Sequence, residues 1–277
     1  MKDKYEFKEL DDTRYIREVV YRLVAVNESE DFVYASGTCC SIALNLLVTA
    51  KHVIEDFHYR ACSSNLKSGL EVPYKIWAIQ LTGDIDNPYV IYVIDKVACM
   101  EKSDIALLRI KEYIGDTNSF EGRKCIKINA FPPQVGEEVV CYGYHSYDIS
   151  KTNRKDGVFN IVVDDKNAVS TGTVVEIHEL FRDQCRLNFP CFRIDARADG
   201  GMSGGPVFNK EGQLCGIICS SLPANENDDE HVTYATTLFP LLLLDNMDED
   251  NPKLLHDLAN EGYIGVENLD KLSINRG

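Results

Sequence analysis

Short apolar runs, each bounded by turn-forming residues, recur along most of the chain. The clearest are Val19–Val26, Tyr89–Ile94, Glu138–Tyr144, Gly172–Ile177 and Leu214–Cys219. Runs of about five to nine residues rich in Val, Ile and Tyr are typical of β-strands. Few segments between them have the spacing of an amphipathic helix, and long βαβ units are not evident. The pattern therefore predicts a mainly β protein with antiparallel strands in closed or nearly closed sheets.

The two ends of the chain depart from this pattern. Residues 1–18 are highly charged and predict an N-terminal arm or helix. Near the other end, Pro252–Ala259 has helical spacing, and Pro252 suits the first turn of a helix. Gly262 and Gly265 follow and suit its end. We therefore expect a C-terminal helical extension.

The most apolar run, Thr237–Leu244, is too short to span a bilayer and contains a proline, so we interpret it as a buried strand. Met1–Glu6 is charged where a secretion signal would be apolar, which predicts a cytoplasmic protein with no membrane association.

The acidic run Asn225–Glu230 predicts an exposed loop. The net charge of −15 argues against a nucleic-acid partner, because that surface needs clustered Lys and Arg.

The ten cysteines show neither a Cys-x-x-Cys motif nor a Cys/His spacing typical of zinc sites. Several lie within apolar runs, as Cys215 and Cys219 do. Buried free cysteines behave as small hydrophobic residues. We therefore expect most of the cysteines to be reduced, and the sequence predicts no metal site.

Three short motifs carry candidate chemistry, and their key residues follow in the order His, Asp, Ser. The motifs are Thr49-Ala50-Lys51-His52, Ser103–Leu108 and Gly201–Pro206. A serine hydroxyl is a poor nucleophile unless a neighbouring base removes its proton, and an imidazole is suited to that task. The glycines around Ser203 permit a turn whose backbone N–H groups point at one site. Ser203 and His52 are therefore candidates for a nucleophile and its base.

Asp104 begins an apolar strand, where burial of a charge is unfavourable unless a partner compensates it. A histidine N–H is such a partner. Asp95 is a rival acid, although it lacks the apolar run that follows Asp104. The other histidines lack the sequence context of His52. They are His58, His145, His178, His231 and His256.

The motifs and their order resemble the trypsin-like serine proteases, and among them the HtrA-like bacterial proteases, here without a PDZ domain. The resemblance extends over about Ser36–Leu244. It implies two antiparallel six-stranded β-barrels with a C-terminal helix packed on them, and Lys111–Glu138 suits the crossover. The expected divisions are an arm over 1–18, barrels over 19–125 and 126–245, and a C-terminal helical extension over 246–277.

The resemblance also implies a role for each candidate residue. His52 is expected to be the general base, Asp104 the acid that orients it, and Ser203 the nucleophile. The backbone N–H groups of Gly201 and Ser203 are expected to form the oxyanion hole. Such an enzyme hydrolyses peptide bonds of proteins or peptides through an acyl-enzyme and needs no cofactor.

The sequence departs from the animal enzymes at three informative positions. Val53 and Asp199 stand where those enzymes have disulfide-forming cysteines. Met202 stands where zymogen-activated enzymes have an aspartate that pairs with a new N-terminus. Activation by that ion pair is therefore excluded, which leaves loop ordering, a protein partner or the N-terminal arm as means of regulation.

The substrate pocket is less strongly indicated than the catalytic residues. By resemblance, Arg197 lies at the floor of the primary pocket, where its charge would favour an acidic side chain at the cleaved bond. The pocket wall is expected from Ile218, Cys219, Ser220 and Ser221. Two alternatives remain open at this point: a protease-shaped module that binds peptides without cutting them, and an enzyme held latent until a partner activates it.

Overall fold

The computed structural model of the protein describes residues 6–10, 16–29, 33–62, 74–83, 89–115, 124–145, 149–155, 158–163, 166–222 and 231–272. Its strands are β1 (Glu6–Glu9), β2 (Val20–Val26), β3 (Val33–Ala43), β4 (Leu46–Thr49), β5 (Lys75–Leu81), β6 (Tyr89–Cys99), β7 (Ala106–Ile114), β8 (Ile128–Asn129), β9 (Glu138–Tyr144), β10 (Ile149–Lys155), β11 (Val158–Val163), β12 (Asn167–His178), β13 (Cys191–Ile194), β14 (Pro206–Phe208), β15 (Leu214–Leu222), β16 (Val232–Thr236) and β17 (Val266–Glu267). The α-helices in these residues are α1 (Lys51–Cys62) and α2 (Leu255–Asn260).

The first six-stranded barrel closes in the order β2-β3-β4-β7-β6-β5, and β5 pairs back onto β2. Every residue of β2 is buried, because the strand packs on both faces. Leu23 and Ala25 belong to the main apolar core, whereas Val24 and Val26 pack with Trp77 in a separate cluster. This double burial explains why the run lacks the apolar-polar alternation of a half-exposed strand.

The second barrel closes through the short strand β14, which pairs with both β9 and β15. Its order is β9-β12-β13-β16-β15-β14, and every pairing around this ring is antiparallel. Strands β8 and β17 extend the sheet beside β15, and β1 pairs with β12 outside the ring. The predicted fold of two six-stranded antiparallel barrels is therefore confirmed.

The connection between the barrels starts later than predicted. Lys111 still belongs to β7, which ends at Ile114. The described part of the connection contains β8, and β9 begins at Glu138. The charged residues near the end of β7 are exposed, so the polar composition of this segment concealed the strand.

Two local predictions near the chain ends need correction, and a third is narrowed to one alternative. Thr237–Leu244 contains a 3₁₀ turn over Phe239–Leu243 and not a strand, because Pro240 fixes φ and has no N–H for a sheet. Helix α2 begins at Leu255, so Pro252 precedes it, although Leu255 does pack into the main core. Within residues 1–18, predicted to be an arm or a helix, the described segment Glu6–Glu9 forms a strand, so the helix alternative is wrong for these residues and the arm stays a prediction.

All ten cysteines lie in the described residues, and all are free. Six are buried, and burial raises the pKa of the Cys141 thiol to about 12. The predicted acidic loop Asn225–Glu230 lies outside the described residues. Neither described helix combines the length and apolar character that a membrane span requires.

Replacing Leu47 by alanine tests whether the strand before His52 is held by core packing. Leu47 is fully buried in β4 between Ser41 of β3 and Leu108 of β7. We expect the free energy of unfolding to fall by about 2–5 kcal/mol in chemical denaturation, because the truncation leaves a cavity. Leu44→Ala is the control, since Leu44 is 64% exposed and should change stability by less than about 0.5 kcal/mol. Equal losses in both variants would contradict the assignment.

Candidate active site

His52 lies at the start of α1, immediately after β4 ends. The first N–H groups of a helix have no partner within the helix. The backbone N–H of His52 is one of them, and it donates to Asp104 Oδ1 at 2.9 Å. The Nδ1 atom of the same residue lies 2.7 Å from Asp104 Oδ2. One carboxylate therefore fixes both the main chain and the imidazole of His52.

Asp104 lies two residues before β7, and its side chain is only 8% exposed. Its position follows from the pairing of β7 with β4, because Ala106, two residues after Asp104, lies opposite Thr49 at the end of β4. The rival acid Asp95 lies on β6, where Arg109 donates to both of its carboxylate oxygens. The structure therefore brings Asp104, and not Asp95, to His52.

The environment of His52 shifts its proton affinity. Burial alone would lower the pKa of His52 below its ordinary value of 6.5. The hydrogen bond and negative charge of Asp104, together with the charges of Glu55 and Asp56, outweigh burial, so the pKa of His52 is raised. The side chain remains 39% exposed, which leaves the imidazole accessible from the cleft.

The loop that carries Ser203 packs directly against the residues around His52. Gly204 has φ +83°, and a Cβ there would lie 2.1 Å from Thr49 Oγ1. Only glycine suits that conformation and that close approach. The carbonyl of Ser203 accepts the N–H of Thr38 at 2.9 Å. Gly37 lies between this carbonyl oxygen and the side chain of Val53. The structure thus joins His52 and Asp104 by hydrogen bonds and brings the Ser203 loop against Thr49 and Ala50, which precede His52.

Thr38 of β3 connects the first barrel with two segments of the second. Its hydroxyl donates to Gly201 O at 3.0 Å and accepts the N–H of Tyr144 at 3.0 Å. Its carbonyl accepts the Thr49 hydroxyl at 2.7 Å. Because Thr38 is fully buried, each of these polar groups depends on its protein partner.

Two N–H groups of the Ser203 loop differ from their neighbours. The N–H groups of Met202, Gly204 and Gly205 each donate to a backbone carbonyl at 2.9–3.1 Å. Within the described part of the chain, the N–H groups of Gly201 and Ser203 have no such acceptor. Gly201 has φ +95°, a conformation that favours glycine. This arrangement leaves the two predicted oxyanion donors available.

A cavity of about 400 Å³ opens beside His52 and Asp104. Cys219 and Ser220 of the predicted pocket wall line it. Burial, and then the charge of Asp104, raise the pKa of Cys219 well above its ordinary value, so this thiol stays protonated. A larger cavity of about 650 Å³, between Phe131 and Phe239, contains none of the predicted site residues.

The remaining predicted pocket residues occupy other places. The side chain of Ile218 is buried in the core of the second barrel, and its backbone binds Gly204 and Gly205. Ser221 and Arg197 do not line the cavity beside His52. The Arg197 guanidinium is paired with Asp199, so an acidic substrate side chain would compete with that carboxylate. The preference for such a substrate stays a prediction.

Sequence reasoning missed several residues that line the His52 cavity. They are Lys51, Glu55, Glu101, Ser103, Arg186, Leu187, Asn188 and Phe189. Arg186 and Leu187 belong to a turn in which Asp183 accepts their N–H groups and that of Cys185, and Asn188 and Phe189 follow this turn. An aspartate that begins a loop is a recognisable turn signal, but it does not indicate which cleft the loop borders.

Comparison with known proteins places this architecture in a family. The family model described as a trypsin-like peptidase domain matches residues 35–217, which is more than half of the chain. The chain belongs to the trypsin-like peptidases. The solved structures similar to this peptidase include "Crystal structure of Rv3671c protease from M. tuberculosis, active form", at 17% identity and a TM-score of 0.48. That match covers 81% of this chain and 78% of the other. No curated protein sequence matches.

Asp104→Asn tests the electrostatic link in this peptidase. The variant removes the charge that raises the pKa of His52 while burial still lowers it, so we expect the pKa of His52 to fall in an NMR titration. The interactions of protonated His52 stabilise the wild-type fold, and this stabilisation is fully present below pH 6.5, the ordinary pKa of histidine. It is lost as the pH rises through the raised pKa of His52. The wild-type advantage in free energy of unfolding should therefore shrink on going from about pH 5.5 to about pH 8.5.

Asp95→Asn is the matched control for this titration, because its carboxylate binds Arg109. The pKa of His52 should not change in that variant. If both variants shifted the pKa of His52 equally, the specific role of Asp104 would be wrong.

Thr38→Val tests the link between the barrels. Valine keeps the shape of threonine but leaves Gly201 O and the buried N–H of Tyr144 without the hydroxyl. We expect the free energy of unfolding to fall by about 1–3 kcal/mol in chemical denaturation. Thr38→Ser keeps the hydroxyl and should lose less, and a larger loss in the serine variant would contradict this role.

Proposed function

We infer that this trypsin-like peptidase is an active serine endopeptidase that uses Ser203, His52 and Asp104. The observation that carries the proposal is the double contact of Asp104 with the N–H and imidazole of His52. That contact assigns the proton of the imidazole to Nδ1 and leaves Nε2 as the basic atom. The glycine-framed loop of Ser203 lies beside the same helix start.

The first half of the reaction forms an acyl-enzyme. Ser203 Oγ attacks the carbonyl carbon of the peptide bond while His52 Nε2 takes the hydroxyl proton. The carbonyl electrons move to oxygen, and the N–H groups of Gly201 and Ser203 stabilise the resulting charge. As the C–N bond breaks, His52 returns the proton to the leaving amine.

The second half repeats these steps with water. His52 takes a proton from the water, whose oxygen attacks the acyl carbon. As the intermediate collapses, the bond to Ser203 Oγ breaks, His52 returns the proton to Oγ, and the new carboxyl group is released. The negative charge of Asp104 stabilises the imidazolium in both halves, consistent with the raised pKa of His52. This chemistry requires no cofactor.

Proteins or peptides in an extended conformation are the proposed substrates. The cavity beside His52 offers apolar contacts from Leu187 and Phe189 and a charged group from Arg186. These residues are positioned to contact side chains next to the cleaved bond. Profiling with a peptide library would reveal this preference and would test the predicted acidic preference attributed to Arg197.

Ser203→Ala tests the proposed nucleophile. We expect wild-type protein to be labelled by a fluorophosphonate probe and the variant to remain unlabelled, because the bond to phosphorus forms at Ser203 Oγ. Turnover of a cleaved peptide should fall by a factor on the order of 10⁶. Ser41→Ala is the control, since the hydroxyl of Ser41 is buried in the first barrel. Equal labelling of wild type and Ser203→Ala would contradict the assignment.

The same assay separates the alternative functions. Wild-type protein that binds peptides but neither labels nor cleaves them would contradict the peptidase proposal and favour a peptide-binding module. Labelling that requires an added protein partner would support a latent enzyme.

A further inference from the structure

The N-terminal strand β1 lies against the segment that leads to Ser203. It pairs antiparallel with β12, and Phe7 is opposite Ser170. The buried hydroxyl of Ser170 accepts the backbone N–H of Arg197 at 3.1 Å. Because β1 pairs outside the six-stranded ring, it can detach without opening the barrel. The strand is therefore a separable element in contact with the base of the catalytic loop.

Phe7 contacts the side chain of Arg197 directly. The Arg197 Cζ atom lies 4.2 Å from the centroid of the Phe7 ring. The same guanidinium donates from Nε to Asp199 Oδ1 at 2.8 Å and from Nη2 to Asp199 Oδ2 at 2.7 Å. A planar guanidinium held by a ring face and a bidentate carboxylate has few other orientations. Phe7 thus restrains Asp199 through Arg197.

Asp199 in turn fixes the turn that contains Gly201. Its carbonyl accepts the N–H of Met202 at 3.1 Å, and its own N–H lies 3.3 Å from the sulfur of Met202. This turn orients the peptide group of Gly201 and leads directly into Ser203. The two available N–H groups of the loop therefore depend on the position of Asp199.

A second side chain of β1 contributes to the same cluster. The rings of Phe7 and His145 pack in a T-shaped arrangement, with centroids 5.6 Å apart. Buried His145 lies between two carboxylates, with Nε2 3.5 Å from Glu9 Oε1 and Nδ1 3.9 Å from Asp199 Oδ2. The side chains of Phe7 and Glu9 lie on one face of the strand, and that of Lys8 lies on the opposite face. Both side chains on that face of β1 thus contact groups that adjoin Asp199.

We propose that β1 positions the oxyanion loop, with Phe7 and Arg197 as positioning residues that hold the turn from Asp199 to Met202. The proposal rests on the proposed peptidase function and deepens it by naming a regulatory element of that site. Met202 is apolar and fully buried, so no ion pair at that residue can order the loop. In this protein the loop is ordered by the contacts of the Arg197 guanidinium with the Phe7 ring and with the Asp199 carboxylate. Release of β1 lowers activity while His52 and Asp104 stay in place.

Variants of Phe7 test the proposal kinetically. Phe7→Leu keeps an apolar side chain but removes the ring face, and Phe7→Ala removes both. We expect kcat to fall between about twofold and thirtyfold in these variants, with KM little changed, because the loop acts on the transition state. Phe7→Trp keeps a ring face and should restore most of kcat. Lys8→Ala lies on the other face of β1 and should match wild type.

The same variants behave differently if Phe7 contributes only to the stability of the fold. Both Phe7→Leu and Phe7→Ala would then lower the unfolding midpoint and leave kcat of the folded enzyme unchanged. That result would overturn the proposal. The leucine variant keeps the test decisive if Phe7→Ala does not fold.

Hydrogen–deuterium exchange tests the same inference without catalysis. Amides of residues 197–205 should exchange faster in Phe7→Leu than in wild type or Lys8→Ala, since the N–H of Met202 loses its fixed acceptor. Unchanged exchange would overturn the proposal. If wild-type protein has no peptidase activity, the proposed function fails, and the exchange rates still decide whether β1 orders this loop.

Discussion

A buried carboxylate that must be compensated is the constraint on which this structure depends. Asp104 enters the edge of an apolar barrel, where an unpaired charge would be strongly unfavourable. The partners it meets are the free N–H at the start of α1 and the imidazole of His52. The same contact that satisfies Asp104 therefore caps a helix, orients a histidine and raises its pKa. One interaction therefore compensates a buried charge and sets both the orientation and the proton affinity of His52.

The second requirement is that the two barrels meet at this point. A Cβ on Gly204 would overlap Thr49 Oγ1, so the loop of Ser203 reaches the end of β4 only because glycine stands there. Thr38 then binds Gly201 O and Ser203 O from the first barrel. Segments far apart in sequence are thus brought together by backbone contacts across the interface, and the loop of Ser203 lies against the strand that leads to His52.

Much of the fold follows from the sequence because buried strands give continuous apolar runs. The contact between His52 and Asp104 also follows, since a charge at the edge of an apolar strand calls for a partner. The 3₁₀ turn at Pro240 does not follow, because burial makes strands and tight turns equally apolar. Phe7 gave no signal, since its partner Arg197 lies 190 residues away and a guanidinium stacked on a ring leaves no local pattern. Long-range contacts between side chains that belong to no recognisable motif thus escaped sequence reasoning.

The proposed function rests on one claim: the loop of Ser203 presents a nucleophile and two N–H donors to a carbonyl group held next to His52. The most direct measurement is a crystal structure of the protein with a peptide boronic acid. The account predicts a boron–oxygen bond to Ser203 Oγ, with one boronate oxygen accepting the N–H groups of both Gly201 and Ser203 at about 2.7–3.1 Å. Boron bound to another residue, or an adduct on Ser203 whose oxygens avoid both N–H groups, would contradict it.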